Sequence, residues 1–505
     1  MEANKRVAKN TLVLYGRMLL SMFVTLYTSR VVLNILGVDD FGIYNIVAGV
    51  IIMFGFLNNA MTASTQRFLT FEIGQGNLTK LKTIFNVSIT IHLIIGGIIL
   101  ILAETTGLWF LNTQLNIAED RMVAANWVYH FSLLSFIISV YYVPYNAVII
   151  AHEKMNIFAL IGIGEVVLKL AVVFLLPVIT FDKLIVYAGL LFIVSTSVKL
   201  AEQIYCKRTF EECRHIALKW DKSLINEMGK FAGWNLVGVA AGIGYMQVVN
   251  VFLNIFFGTV VNAARGIAFQ VQGAVSSLIT NFQIALAPAI TKGYARNELK
   301  ETYDMVFSSS RLSLYLLLIF SIPLLIETET VLTWWLNLVP KYTVVFTQLI
   351  ILDLLITSLS GPLHILVQAT GNVKNYQIIV SGILLFNVPF AYIFLKLGYS
   401  AEITMIIAIV FSIIALVARM MILKNMLDFP LRNYILKVLI KISLVSIISW
   451  GIPYYISSHL HYGIFDFIIV GLISLLTLIL SVYSFGLESF EKNFIKSKIL
   501  NVLKG

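Results

Sequence analysis

Between residues 11 and 485 the chain is a succession of apolar runs, about 14 of them, each about 18–25 residues long and parted by short gaps. One such run, as a helix, crosses a hydrocarbon core roughly 30 Å thick. Within hydrocarbon, only helices and closed barrels satisfy their own backbone. The expected fold is an all-α polytopic membrane protein of about 14 transmembrane helices. Composition agrees, at 59% hydrophobic and 12% charged residues with a mean hydropathy of +0.89. Soluble domains run at roughly 45–50% and 25%, so a soluble multi-domain enzyme is excluded.

The basic residues are sorted among the gaps. Of 36 Lys and Arg, about 24 fall in the termini or in alternate gaps, whereas Arg121, Lys183, Lys341 and Lys396 fall in the others. Basic loops stay in the cytoplasm, and an even number of crossings then puts both termini there. The outer gaps are short and acidic (Asp39 and Asp40, Glu119 and Asp120, Glu327 and Glu329). None could house a catalytic domain, so no enzyme is expected. The net charge of +10 sits where anionic headgroups and membrane orientation account for it, and nucleic acid is not an expected partner. The basic start reads as the flank of a retained first span rather than a cleaved signal. Cys206 and Cys213 read as reduced thiols, and no metal site or cofactor is expected.

The longest gap, 207–230, is basic and divides the chain into an N-terminal six-helix lobe (1–206) and a C-terminal one (231–425), with an extra two-helix segment and tail at 426–505. The lobes resemble each other. Leu33-Asn34-Ile35 recurs as Leu253-Asn254-Ile255, and Asn77 and Lys80 match Asn297 and Lys300, an offset of about 220. Pro144 and Ala151 match Pro362 and Ala369, an offset of about 218. Both copies start on the same side, which predicts two halves related by a pseudo-twofold axis along the membrane normal, as in many transporters.

Eight cations lie inside the apolar runs: Arg17, Arg30, Lys169, Lys199, Arg265, Arg311, Arg419 and Lys441. Each costs roughly 2.5–3.5 kcal/mol at membrane depth and needs a reason. In the eighth run Arg265, Gln272, Ser276, Thr280 and Gln283 share about 80° of one helical face. That pattern is either a ligand-facing stripe or a polar seam between helices. The tenth run repeats it with Asp353, Thr357, Ser360, His364 and Gln368, and Gly361-Pro362 should bend that helix. Asp353 reads as a proton or cation site, or as a partner for an arginine.

The first run places Arg17, Ser21, Thr25 and Thr28 on one face and Arg30 nearly opposite, unless the helix bends near Gly16. Glu165 and Lys169, four apart, read as an internal ion pair or as part of a cationic cavity. Gln247, Asn250 and Asn254 share a face of the seventh run, as sugar-binding amides or as helix glue. Lys199, Arg311 and Arg419 lie near helix ends and are expected to snorkel. Arginine beside hydroxyls and amides suits an anionic, polar cargo, since guanidinium bonds phosphate bidentately.

The stretches Asn10-Thr11-Leu12-Val13-Leu14-Tyr15-Gly16-Arg17, Ser29-Arg30-Val31-Val32-Leu33 and Leu36-Gly37-Val38-Asp39-Asp40-Phe41-Gly42-Ile43-Tyr44 resemble the start of bacterial polysaccharide-export flippases. The turn with Thr65-Gln66-Arg67-Phe68 and the paired Pro144 and Pro362 helices are similar too. This is the oligosaccharidyl-lipid branch of the multidrug/oligosaccharidyl-lipid/polysaccharide (MOP) exporter superfamily, and the resemblance covers about residues 8–425. It implies a flippase moving undecaprenyl-diphosphate-linked O-antigen or capsule repeat units across the bacterial inner membrane, with a cationic cavity at Arg17, Arg30 and Arg265. Membrane lipids and other polysaccharide-assembly membrane proteins are the implied partners. Many members of the branch have twelve spans, so fourteen leaves lipid II flippases open as an alternative, along with a cation-coupled multidrug exporter of the same superfamily. Protons, Na⁺ (through Asp353 or Glu165) or the membrane potential are the options for drive.

Overall fold

A computed structural model describes the backbone of residues 2–52, 55–113, 117–257, 259–336, 339–459, 464–489 and 491–493. Side chains are described there except at 2–9, at scattered positions between 11 and 60, and at 243, 247, 254, 259–260, 263 and 464–466. Every described element is helical. In chain order they are α1 (Glu2–Ile52), α2 (Gly55–Gln75), α3 (Leu78–Leu102), α4 (Leu108–Thr113), α5 (Met122–Ala151), α6 (Met155–Leu175) and α7 (Lys183–Thr209). Then come α8 (Lys222–Phe257), α9 (Thr259–Ala295), α10 (Leu299–Ile326), α11 (Thr328–Leu336), α12 (Thr343–Ser358) and α13 (Ser360–Thr370). The last are α14 (Lys374–Leu385), α15 (Asn387–Lys396), α16 (Ile403–Leu427), α17 (Leu431–Tyr434), α18 (Ile440–Ser457) and α19 (Ile464–Ser481).

Among the described residues, 12 helices are long and apolar enough to cross a membrane, and α1 carries a shorter apolar stretch, Val13–Thr25. The chain is a multi-pass membrane protein. The first two expected crossings meet at Gly37, which divides α1 with φ 82 and ψ 171, backbone that glycine adopts without a Cβ clash. α1 has no such break at Gly16 or between Arg17 and Arg30, so the expected alternative of a bend near Gly16 is not met. The break expected beside Pro362 is present between α12 and α13, at Leu359.

The chain divides into two compact units. Unit 1 is Met1–Val239 with Ala287–Asn297 and Ala369–Val373; unit 2 is Ala240–Leu286, Glu298–Gln368 and Lys374–Gly505. The division falls inside α8, beyond the basic gap, because that gap is pinned to unit 1. His152 Nε2 lies 2.6 Å from Glu212 Oε1, and the Ala217 N–H donates to Asn86 Oδ1 at 2.8 Å.

In unit 1, Val47, Leu111, Val128, Tyr129, Leu133 and Leu184 form a core, closed by the Tyr129 hydroxyl donating to the Ala103 carbonyl at 2.6 Å. Arg121 at the start of α5 holds Asp40 and Asp182 at 2.6 and 2.5 Å. Burial raises the Asp182 carboxyl, but the bonds from Arg121 and from the Ile185 and Leu184 N–H groups outweigh it, and the net shift is downward. In unit 2, Leu253, Ala264, Leu317, Phe346 and Ile351 pack together. Outward positions such as Ile101, Ile447 and Leu480 stay 65–68% exposed, as a lipid-facing surface requires.

Two pairs of turns mark the internal repeat. Glu153 after α5 and Gly371 after α13 both take positive φ (57° and 78°), 218 positions apart. Gly76 and Asn297, after α2 and α9, do the same 221 positions apart.

The extra pair α18 and α19 packs on α10. Arg311 does not snorkel as expected. It is 2% exposed and donates to the Lys437 carbonyl at 3.0 Å, to Ser308 Oγ at 3.3 Å and to Glu491 Oε1 at 2.8 Å. Lys441 Nζ lies 2.6 Å from Glu488 Oε1. The acidic residues just past α19 draw both cations inward, which the position of Arg311 near a helix end did not reveal.

Candidate functional site

Each unit encloses a polar cavity with one arginine. In unit 1 it measures about 230 Å³ and is lined by Arg17, Asn146, Phe158, Glu165, Lys199 and Glu202, among others. Gly162 on α6 makes it possible: a Cβ there would overlap Nε of Arg17. The guanidinium lies over the Phe158 ring, 4.5 Å from its centroid, a cation–π contact strengthened by desolvation.

Both carboxylates have lysine partners. Lys169 Nζ lies 2.6 Å from Glu165 Oε1, and Lys199 Nζ lies 3.0 Å from Glu202 Oε1. Among the described residues, the lining itself carries two cations, Arg17 and Lys199, and two carboxylates, Glu165 and Glu202; with Lys169, which pairs with Glu165 from outside the lining, the cluster has one positive charge in excess, which suits an anion. Lys199, expected to snorkel, turns inward because Glu202, 6% exposed and one turn further on, pairs with it. Lys169 makes its ion pair without lining the cavity. Ser21 and Thr25, further along α1, do not line it either, and Thr25 is exposed. Arg30 lies outside the described side chains.

The cavity in unit 2 is smaller, about 70 Å³, lined by Tyr245, Arg265, Phe269, Gln272, Asp353, Asn387 and Thr404, among others. Arg265 is 5% exposed, donates to the Met246 carbonyl at 3.0 Å, and lies 4.8 Å from the Phe269 centroid. Asp353 bonds Ser412, while its Oδ1 is buried without a partner. Asn387, 2% exposed, likewise has an unpartnered Oδ1. The Arg265 Nε is buried without a partner as well, so three unsatisfied polar groups meet in this small cavity, a costly arrangement; the two oxygens are of the kind that hold a hard monovalent cation, here beside the fixed charge of Arg265. This space admits small occupants, such as an ion with waters. Among the described residues, no three His, Cys, Asp or Glu side chains converge as a transition-metal site.

The rest of the predicted stripe has other bonds. Ser276 donates to the Gly273 carbonyl and Thr280 to the Ser276 carbonyl, both within α9. Asn250 accepts from Asn262 at 2.7 Å, tying α8 to α9. Gln247 lies outside the described side chains. His364 belongs to a separate buried network: Nδ1 is 3.0 Å from the Tyr376 hydroxyl, Nε2 is 2.7 Å from Gln368, and Arg419 donates to Tyr376 at 2.9 Å and to Ser360 at 3.1 Å. Arg419 is thus held inward, not snorkelling, because Tyr376 and Ser360 offer acceptors.

Sequence reasoning missed Phe158, Gly162, Glu202, Tyr245, Asn387 and Thr404. The available signals were Gly162-x-Gly164 in an apolar run, since paired glycines mark close approach, and the three-residue spacing of Lys199 and Glu202.

No family model matches the chain, and no curated protein matches it. Solved structures do. A MATE in the bent conformation superposes with a TM-score of 0.72 at 14% identity, covering 86% of this chain and 97% of that one. An outward-facing multidrug resistance MATE family transporter of the MOP superfamily gives 0.66 at 14%, covering 82% and 94%. The fold is that of MATE transporters. A third likeness, to a MOP superfamily transporter from Pyrococcus furiosus described as having a binding pocket of reversed polarity, gives 0.69 at 12%, covering 86% and 96%. Because those chains are matched over nearly their full length, the MATE fold is present whole. At these identities it specifies no cargo.

Proposed function

We propose that this protein is a flippase of the bacterial inner membrane, both termini cytoplasmic, that moves undecaprenyl-diphosphate-linked oligosaccharide units from the inner to the outer leaflet by alternating access. These units would serve O-antigen or capsule assembly, alongside other membrane proteins of that process. The observation that carries this reading is Arg17, held over Phe158 in a polar cavity whose charged cluster has one positive charge in excess. A diphosphate needs such a partner. At about 230 Å³ the cavity falls below the roughly 300–1,000 Å³ usual for drug-sized ligands and would take the diphosphate alone, with the sugars lying beyond it. Asp353, with Asn387 and Thr404, is the candidate coupling site for Na⁺ or H⁺. The membrane potential would also help, by about 2.3 kcal/mol per charge per 100 mV.

A cation-coupled multidrug exporter is the second reading, favoured by the same Asp353 cavity and by Glu165 and Glu202 facing the space beside Arg17. Lipid II is the alternative lipid-linked cargo. Lipid analysis of a deletion strain separates the three. The proposal expects an undecaprenyl-linked repeat unit to accumulate on the inner leaflet, with restoration by the wild type and not by Arg17→Ala or Arg265→Ala at equal membrane levels. Accumulation of lipid II, or drug sensitivity with normal glycolipids, would overturn it.

A further inference from the structure

A groove in unit 1 belongs to neither polar cavity. It encloses about 200 Å³ and is walled by Ile95, Ile98 and Ile99 of α3, by Gly229 and Gly233 of α8 and by Met61 of α2, among others. It shares no lining residue with the Arg17 cavity. Ile98 is 51% exposed and both glycines are exposed, so the groove is open at its side. A Cβ on Gly229 or Gly233 would meet no atom within 4 Å. Among the described residues, no neighbour therefore requires glycine there, although glycine weakens a helix interior. What the two glycines keep open is the groove itself.

The basic gap frames one end of this groove. The Ala217 N–H donates to Asn86 of α3 at 2.8 Å, and Asp221 caps α8 by accepting from the Leu224 N–H at 3.0 Å. Leu218, Lys219 and Trp220 thus lie between α3 and the start of α8, with Leu218 68% and Trp220 70% exposed. A tryptophan left exposed at the end of a membrane bundle suits the headgroup level, where its ring is half wet. On α8, Lys222, Asn226, Gly229 and Gly233 share about 60° of one face. From the helix start, that stripe presents a cation, an amide and then two gaps where side chains would be. Lys222 and Asn226 are exposed, and Lys222 precedes Gly229 by about two turns, roughly 10 Å. Of the nearby carboxylates, Asp221 is engaged as the cap, and Glu227 is turned about 140° from Lys222.

We propose that this groove is a site for an anionic phospholipid of the leaflet next to the basic gap. One acyl chain lies along Gly229 and Gly233, and the phosphate sits at Lys222 with Asn226 and Lys219. Lipid tails are as apolar as the groove, so the chain gains only by packing. Selectivity must come from the head, where the lysines attract anionic lipid. The site does not depend on what is carried, so its test needs no cargo. Full-length protein in phosphatidylcholine bilayers receives a trace of phosphatidylglycerol with a diazirine in its acyl chain, and is illuminated, digested and read by mass spectrometry. Label should appear within residues 95–99 and 229–236. Replacing part of the phosphatidylcholine by unlabelled phosphatidylglycerol should suppress that label about five-fold more than the same amount of phosphatidylethanolamine does. Lys222→Glu should remove most of this difference. Gly233→Leu, which fills the groove, should lower the label on 95–99 by a similar factor. Equal suppression by the two lipids, or unchanged label in Gly233→Leu, overturns the site. Suppression by undecaprenyl phosphate in place of phosphatidylglycerol would give the groove to the cargo lipid. A groove that no lipid labels, in a protein that runs as a dimer, would give it to a second copy. Either result overturns the proposal too. Should Gly233→Leu not accumulate, Ile98→Trp fills the groove from the opposite wall and decides by the label on 229–236.

Discussion

At the scale of single residues, the chain is governed by where cations find counter-charges. Of the eight cations inside apolar runs, Lys169, Lys199, Arg311 and Lys441 each lie within 3.0 Å of a carboxylate. Arg419 is held by a tyrosine and a serine. Arg17 and Arg265 instead lie over aromatic rings in cavities. Sequence spacing found the Glu165–Lys169 pair because four residues make one helical turn. By the same rule Lys199 and Glu202, three apart, were legible and were missed, whereas Glu491 for Arg311 was not, because a partner 180 positions away is not a local property. The dependence of Arg17 on one glycine gives a sharp expectation. Gly162→Val should push the guanidinium off Phe158 and lower affinity for a diphosphate ligand at least ten-fold, about 1.4 kcal/mol, with the protein still folded. Titration of the purified protein with a short-chain polyprenyl diphosphate would show it.

At the scale of elements, hydrophobic periodicity and length located the helices well, since a membrane span must be long, apolar and closed on its own hydrogen bonds. The kinks were legible in part. Pro362 announced the α12–α13 break, whereas the division of α1 at Gly37 was readable only as a gap between two runs. What the run pattern left blank is why α18 and α19 stay attached. Arg311–Glu491 staples the segment after α19 to α10, and Lys441–Glu488 ties that segment to α18. Glu491→Ala leaves a buried guanidinium without its counter-charge, for an expected loss of about 3 kcal/mol. Thermal unfolding in detergent should show a lower Tm, and Glu491→Asp should recover part of it. An unchanged Tm would mean that the staple is decorative.

For the whole molecule, the two units carry cavities of different size and chemistry, about 230 Å³ with a cation in excess and about 70 Å³ with two unpartnered oxygens. On the proposed function, the larger cavity would take the diphosphate and the smaller one the coupling ion. If Na⁺ occupies the Asp353 cavity, NaCl should raise the Tm of the wild type relative to choline chloride, by the linkage of binding to folding. Asp353→Asn should abolish that difference. No difference in the wild type would exclude Na⁺ at this site.

The sequence by itself determined that this chain crosses a membrane many times as helices, that it is built on a repeat, and that arginines at membrane depth need a polar setting. Those conclusions follow from length, apolarity and charge, which act locally along the chain. Only the tertiary structure decided which cations are consumed by ion pairs and which face a cavity, that Asn387 and Thr404 join Asp353, and that the ends of α9 and α13 belong with unit 1. The physical reason is that desolvation and pairing depend on neighbours far apart in sequence, and no periodicity records which distant side chain arrives to satisfy a buried charge.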